Sequence, residues 1–429
     1  MKLKVKRFFV LCTQYAVPKK VTLIPIASRL HGEGYYSKLL AELRAAIGGG
    51  FEEVDVVTSV EEARRAGSSA AGSLPILLFL TGGTSKLAQE FVSAGCFAAV
   101  AMLAHGEHNS LASAISARYK LEARGVRVWL SPCYSPWSGD CAERGRRLAR
   151  AVLAAAKLHS VRIAVIQDVL PPQAEALEHR LGARVELITQ SEFERMVEQA
   201  DEAVSRALAK EVGEAFGVSG EKLLEVGRVY AALRELFGRF DAVAVDCFDY
   251  LVKHRVAPCL ALAKLNAEGL VTACEADLQA VLLMLVSREL TGYAGWIANA
   301  TAFSGTRGVF SHCTIAFNMV ESGRVLPHFE SGYPHALSGK LAHSTYTIAS
   351  ISPDFAVLGA GLAKVVESGL LSGAACRTQA LVELGPWAEE LPRAAPANHH
   401  VFIPGDVVEE LRAVAKLLGL RYLHYPSLA

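Results

Sequence analysis

At 429 residues the chain is longer than one hydrophobic core usually serves, so its length predicts two or three domains. Hydrophobic residues form 52% of the chain and charged residues 20%, a composition that excludes an intrinsically disordered protein. Its 44 Lys and Arg residues balance 43 Asp and Glu residues, with no basic tail or basic patch rich in aromatics, which argues against a nucleic-acid partner.

Residues 1–17 combine a basic start with a short apolar run, which weakly resembles a signal peptide. Gln14 interrupts the run and no small-residue cleavage site follows, so we predict a strand instead. No stretch approaches the roughly 20 apolar residues that a membrane helix needs, so we expect no membrane partner. The nine cysteines are odd in number and lack a C-x-x-C pair, which favours reduced thiols and a cytoplasmic location.

Residues 21–155 alternate between short β-branched runs and longer helical patterns. This alternation is typical of a parallel sheet whose strands are joined by helices. The sequence therefore predicts a first Rossmann-like α/β domain over residues 1–157.

Polar side chains crowd the end of one predicted strand in this domain. His105, Glu107 and Asn109 follow the strand at 96–102 and precede a helix that begins at Ser110. Helix capping by Asn109 or Ser110 explains those residues but not His105 and Glu107. Because open α/β sheets bind ligands beyond the carboxyl ends of their strands, this loop is a candidate substrate-binding segment.

A second parallel α/β unit begins with the strand at 161–167, passes through a long helical region at 191–240 and returns to a strand at 242–245. We assign it to residues 158–252. From about residue 300 the pattern changes to short strands separated by Gly or Pro turns, which predicts an antiparallel barrel or sandwich within a third domain, 253–429. The predicted fold class is therefore α/β and β, with two parallel α/β domains followed by a mostly antiparallel β domain.

Glu275 is the first candidate for chemistry, since it emerges from small residues where a helix is expected to begin. Glu275 and Asp277 are two positions apart, about 200° around a helix, so they cannot share a site from within one regular helix. A functional role fits Glu275 better than stabilisation of the helix N-terminus, and capping is the better interpretation for Asp277.

Three histidine-bearing segments follow in the C-terminal region. His312 and Cys313 lie on opposite faces of a predicted strand, and a buried core role for His312 stays open. A predicted strand at 324–330 puts His328 and Glu330 on one face, which suits either a ligand pair or an ordinary solvated surface. His399 and His400 are adjacent, one on each face of the last strand, and neutral imidazoles suit divalent transition metals.

Several motifs together resemble the L-fucose isomerase-like family, which is related to L-arabinose isomerase. They are AVDCFDYL at 244–251, CLALAKLNAEGLVTACEAD at 259–277, HCT at 312–314, HFESG at 328–332, NHHVFIPGDVVEEL at 398–411 and, near the N-terminus, LAHGEHNSLASA at 103–114. The resemblance covers most of the chain and implies the three-domain organisation described above.

The resemblance implies an aldose–ketose isomerase that works through an enediol on a free pentose or deoxyhexose, with Mn²⁺ gripping two adjacent sugar oxygens. By position, Glu275 matches the metal-binding and acid/base glutamate and His399 the metal-binding histidine, with His400 as the alternative. The candidate substrate-binding residues are His105, Glu107, Asn109, His312, His328 and Glu330. Family enzymes are oligomers in which a neighbour's N-terminal domain completes the pocket, so a homo-oligomer is expected.

One position departs from the family pattern. Asn299 stands where family enzymes carry a second metal-binding and catalytic aspartate. An asparagine can bind a metal through its carbonyl oxygen, but it brings no negative charge and is a poorer base. Two alternatives therefore stay open beside the isomerase: a non-catalytic sugar-binding protein, and an enzyme with altered chemistry on the same fold.

Overall fold

A computed structural model describes residues 20–428 of the chain. The strand predicted over residues 1–17 lies outside the described residues. The described part divides into two compact units, the first reaching Ser160 and including Arg412–Gly419, the second comprising Val161–Leu411 and the residues from Leu420 onward. The division into three domains at residues 157 and 252 stays a prediction.

The first unit is built on one parallel sheet. Its elements are β1 Lys20–Ile26, α1 Glu33–Ile47, β2 Glu52–Glu53, α2 Val60–Ser69, β3 Ser73–Phe79, α3 Ser85–Ala94, β4 Ala99–His105, α4 Ser110–Glu122, β5 Arg127–Cys133 and α5 Asp140–Leu158. The strand order is β2-β1-β3-β4-β5 and every pairing is parallel. All seven residues of β3 and of β4 are buried, because helices cover both faces of a parallel sheet and leave no alternation in the sequence.

The second unit begins with another parallel sheet. Its elements are β6 Arg162–Ile166, α6 Gln173–Leu181, β7 Arg184–Ile188, α7 Gln190–Glu198, α8 Glu202–Phe216, α9 Glu221–Leu236, β8 Ala242–Val245, α10 Cys247–His254, α11 Cys259–Ala267, β9 Thr272–Ala273 and α12 Leu278–Thr291. Four parallel strands follow the order β7-β6-β8-β9. The carboxyl ends of β8 and β9 therefore lie side by side at one edge of the sheet.

The remaining strands form a mostly antiparallel barrel-like sheet. The elements are β10 Trp296–Ser304, β11 Arg307–His312, β12 Val320–Leu326, β13 Ala336–Leu341, β14 Thr345–Ile351, β15 Val357–Gly369, β16 Thr378–Glu383, α13 Leu391–Ala394, β17 His399–Pro404, α14 Val408–Leu418 and β18 Arg421–His424. The order is β14-β17-β10-β11-β16-β15-β18, and a pairing of β14 with β15 closes six of these strands into a ring. Strands β12 and β13 form a separate antiparallel pair.

Aromatic side chains fill the ring. The Phe402 ring lies 5.0 Å from that of Phe310 and 4.9 Å from that of Trp296, measured between centroids. All three side chains are buried, as expected for the inward positions of alternating strands. The predicted fold class is thus confirmed: parallel α/β sheets come first and a mostly antiparallel barrel-like sheet follows.

Two local predictions were wrong. Strand β12 ends at Leu326, and Phe329–Ser331 forms a turn, so His328 and Glu330 do not share a strand face. Helix α12 begins at Leu278 rather than at Glu275. In both places the polar residues lie just outside the regular element, where the periodicity used to place them no longer applies.

Cysteine usage also differs from the expectation. Cys133 and Cys141 form a disulfide, whereas we predicted reduced thiols throughout. The cysteine pattern therefore no longer supports a cytoplasmic location, which stays a prediction. None of the helices formed by residues 20–428 is both long and apolar enough to cross a membrane.

Candidate functional site

The backbone at Glu275 places its carboxylate outside any helix. Glu275 and Ala276 both adopt left-handed conformations, with φ values of 58° and 48°. The Ala276 amide donates a hydrogen bond to the Val245 carbonyl over 2.9 Å, which ties this turn to the end of β8. Left-handed backbone costs an ordinary residue roughly 1–2 kcal/mol, and such strain concentrates at functional sites. The turn also explains why Glu275 and Asp277 can serve one site, contrary to our expectation for a regular helix.

Glu275 of this turn meets His312 of β11 and His399 of β17. Glu275 Oε1 lies 3.3 Å from His312 Nε2, and Glu275 Oε2 lies 3.6 Å from His399 Nε2. One ligand atom of each residue lies within 4.8 Å of the others. The His312 side chain is only 3% exposed, whereas that of Glu275 is 37% exposed, so a molecule from solvent can reach the carboxylate.

Asp277 holds one of these imidazoles in place. Its Oδ1 accepts a hydrogen bond from the Ala280 amide at the start of α12, and its Oδ2 lies 2.6 Å from His399 Nδ1. Because a carboxylate oxygen accepts, His399 donates from Nδ1–H to Asp277, and in the neutral imidazole the lone pair of Nε2 faces Glu275. Asp277 is therefore both a helix cap and a positioning residue, a second role that our sequence analysis did not favour.

Charge and burial act in opposite directions on the pKa of Glu275 and on that of His399. The His312 ring, whose Nε2 lies 3.3 Å from Glu275 Oε1, lowers the pKa of Glu275, and this outweighs the effect of burial. Burial disfavours the charged form of His399, yet the contact with Asp277 and the charges of Asp277 and Glu275 raise its pKa overall. Glu275 is thus an ionised carboxylate, ready to bind a cation or accept a proton.

Several polar atoms of the cluster have no hydrogen bond. Within residues 20–428, neither ring nitrogen of His312 nor Nε2 of His399 makes one, although all three atoms are shielded from solvent. Leaving such an atom without a hydrogen bond costs about 1–3 kcal/mol, so the arrangement favours the binding of a ligand. Two imidazole nitrogens and a carboxylate oxygen form a donor set that suits a divalent transition metal. An aspartate behind a ligand histidine is the usual supporting arrangement of metal centres.

The register of the barrel separates the two adjacent histidines and locates Asn299. Asn299 of β10 lies directly opposite His399 of β17, so their side chains share a face beside the cluster. The Asn299 Oδ1 accepts a hydrogen bond of 2.6 Å from Asn398 Nδ2. His400 points into the barrel, where its Nε2 lies 3.3 Å from the Tyr425 hydroxyl, and burial lowers its pKa to about 4. The structure therefore brings His399, and not His400, to Glu275.

His328 lies beside a thiol. Its Nε2 is 3.1 Å from Cys313 Sγ and its Nδ1 is 3.2 Å from Ser331 Oγ. Burial lowers the pKa of His328, and the charge of His312 adds to this. Glu330 is exposed in the same turn. A substrate-binding role for His328 and Glu330 stays a prediction.

The candidate residues of the first unit form their own network at the carboxyl ends of β4 and β5. His105 ends β4, with Nε2 3.1 Å from the Leu80 carbonyl, and burial lowers its pKa. Glu107 accepts hydrogen bonds from Ser135 Oγ and Trp137 Nε1, at 2.9 and 3.1 Å. Asn109 precedes α4 in a left-handed conformation and makes no side-chain capping hydrogen bond among the described residues. Their substrate-binding role stays a prediction.

Comparison with known proteins gives a partial match. No family model matches the chain. Sulfoquinovose isomerases from Priestia aryabhattai and Priestia megaterium (strain ATCC 12872 / QMB1551) are each 26% identical to it over 193 residues, which is 42% of this chain. The match spans 43% of the length of each relative. The chain is thus distantly similar, over less than half of its length, to sugar isomerases.

Proposed function

We propose that the protein is a sugar aldose–ketose isomerase that uses a divalent metal, Mn²⁺ by preference. The observation that carries the proposal is the cluster of Glu275, His312 and His399, whose imidazole nitrogens are shielded from solvent without hydrogen bonds. The distant similarity to sulfoquinovose isomerases supports a small-molecule sugar as the substrate.

The metal would be held by Glu275 Oε, His312 Nε2 and His399 Nε2. When bound, it supplies Lewis acidity that polarises the sugar carbonyl and the neighbouring hydroxyl. Asp277 accepts the hydrogen bond from His399 Nδ1–H, so that Nε2 keeps the lone pair that would bind the metal. Because its pKa is lowered, Glu275 is ionised near neutral pH and moves a proton between C1 and C2 through an enediol.

One observation favours a second candidate, a sugar-binding protein without catalysis. Asn299 stands beside His399, where a second carboxylate is expected, and its carbonyl oxygen is already engaged by Asn398. Glu275 is then the charged ligand of the cluster, with Asp277 acting behind His399. Two measurements separate the candidates. Turnover in the native protein excludes the sugar-binding protein without catalysis. Metal affinity that the Asn299→Asp variant gains without turnover favours that protein.

The test measures metal content and sugar interconversion together. The protein is equilibrated with Mn²⁺, dialysed and analysed for bound metal, then assayed on pentoses, deoxyhexoses and sulfoquinovose. We expect one metal per chain and conversion of at least one sugar, with both lost in His312→Ala and retained in the matched surface variant His179→Ala. A native protein that holds no metal and converts none of the sugars contradicts the proposal.

A further inference from the structure

A group of free thiols surrounds the turn that carries Glu275. The free cysteines of the described chain are Cys247, Cys259, Cys274, Cys313 and Cys376. Charge interactions link Cys259, Cys274 and Cys376 to Glu275. Neither the proposed isomerisation nor the metal cluster uses any of these thiols.

Two of the thiols form a close pair. Cys313 Sγ donates a hydrogen bond to Cys376 Sγ over 3.4 Å, across 63 positions of sequence. A disulfide bond is about 2.05 Å long, so bonding requires the two sulfurs to approach by about 1.4 Å. This small movement distinguishes the pair from ordinary buried cysteines.

Neither cysteine of the pair belongs to a strand. Cys313 directly follows the end of β11, and Cys376 lies in the loop between β15 and β16, so neither sulfur is carried by a paired strand residue. Gln379 orders the loop by donating hydrogen bonds from its side-chain amide to the carbonyls of Ser372 and Cys376. The loop is therefore placed against Cys313 without being part of the sheet.

The two sulfurs differ in access. Cys313 is 7% exposed and Cys376 is half-buried. The hydrogen bond from Cys313 lowers the pKa of the Cys376 thiol, which outweighs the opposing effect of burial. Cys376 is therefore the sulfur that an oxidant meets first, and its lowered pKa favours the reactive thiolate, with Cys313 beside it to resolve the product.

We propose that Cys313 and Cys376 form a redox-active dithiol that a peroxide converts reversibly into a disulfide. The Cys376 thiolate attacks one peroxide oxygen, the O–O bond breaks, and a sulfenic acid and hydroxide form. The Cys313 thiol then attacks the sulfenic sulfur, so that an S–S bond forms and water leaves. Two thiols are oxidised and one hydrogen peroxide is reduced to two waters. The cross-link joins the end of β11, where His312 is located, to the loop before β16.

The sequence makes the test direct, because trypsin places each free cysteine on its own peptide. Cys313 falls on 308–324 and Cys376 on 365–377, whereas Cys247, Cys259 and Cys274 fall on 240–253, 256–264 and 265–288. The intact protein is treated with hydrogen peroxide, free thiols are alkylated after unfolding in denaturant, and the peptides are identified by mass spectrometry. We expect a joined 308–324 and 365–377 species, lighter than the sum of its parts by two hydrogens, that separates after reduction with dithiothreitol.

Variants assign the order of events. In Cys313→Ser, dimedone is expected to trap a sulfenic acid on Cys376, and in Cys376→Ser the Cys313 thiol is expected to remain reduced. The matched control Cys247→Ser removes another partly exposed thiol and is expected to leave the cross-link intact. The proposal fails if the native protein keeps both thiols reduced in excess peroxide, if peroxide links Cys247 to Cys274 instead, or if Cys376 is oxidised further without joining Cys313.

Discussion

The two units carry similar sets of polar side chains at strand ends, but they satisfy them differently. In the first unit, both nitrogens of His105 have polar partners and both oxygens of Glu107 accept hydrogen bonds. In the second unit, the Nε2 atoms of His312 and His399 make no hydrogen bond among the described residues and face the Glu275 carboxylate at 3.3 and 3.6 Å. A satisfied network stabilises its own loop, whereas an unsatisfied donor set gains free energy only when a ligand arrives. Residue type alone does not separate these cases.

The largest expected effect lies at the carboxylate of the unsatisfied cluster. Glu275→Gln keeps the shape of the side chain and removes its charge, so it removes both a proposed metal ligand and the proposed base. We expect kcat to fall by about 10²–10⁴-fold, the usual contribution of a general base. Steady-state kinetics on the converted sugar measures this, with Glu321→Gln, an exposed carboxylate paired with Lys340, as the control. Unchanged kcat in Glu275→Gln would remove the residue from the mechanism.

The adjacent histidines of β17 show the same contrast. His400 Nε2 has a polar partner in the Tyr425 hydroxyl, whereas His399 Nε2 makes no hydrogen bond among the described residues. His400 is fully buried and its pKa is lowered to about 4, so between about pH 6.5 and 4 the unfolded chain binds a proton that the folded chain does not. Stability is therefore lost as the pH falls through this window, by up to about 3 kcal/mol at pH 4.

Denaturant unfolding of the metal-free protein across this pH range measures the loss. His400→Gln keeps a hydrogen-bonding side chain that does not titrate, so its stability should depend less on pH than that of the native protein. Identical pH dependence in the two proteins would show that His400 ionises as readily in the folded chain as in the unfolded one.

The two roles of Asp277, capping α12 and positioning His399, can be measured separately. Asn is as good an N-cap as Asp but does not hold His399 Nδ1–H as an ionised acceptor, so Asp277→Asn tests positioning alone. We expect metal affinity to fall about 10–100-fold, with the free energy of unfolding nearly unchanged. Calorimetric titration with Mn²⁺ measures the affinity.

The matched control is Asp201→Asn. Asp201 also caps a helix, with Oδ1 accepting from the Val204 amide over 2.9 Å. This substitution should leave metal affinity unchanged. A loss of affinity in both variants would assign the effect to helix capping rather than to His399.

The sheets were predictable because burial leaves its pattern in the sequence, as the continuous apolar runs of β3 and β4 show. The site was predictable only in part. Glu275 and His399 stand out by residue type, but the left-handed turn at Glu275 and Ala276 depends on the tie of Ala276 to the end of β8. The pairing of Asp277 with His399 spans 122 positions. Contacts of this range arise from tertiary packing, which local periodicity does not encode.

The smallest expected effect tests the satisfied network of the first unit. Glu107→Gln keeps one acceptor oxygen and replaces the other with a donor, so one of the hydrogen bonds from Ser135 and Trp137 is lost. We expect the free energy of unfolding to fall by about 1 kcal/mol, because Ser135 is half-buried and Trp137 is exposed, so water replaces part of the lost bond. Metal content should not change, because the proposed metal ligands lie in the second unit. Denaturant unfolding measures the stability and metal analysis of the same sample measures the metal content. A Glu107→Gln protein that lost its metal while keeping its stability would overturn the distinction between the two networks.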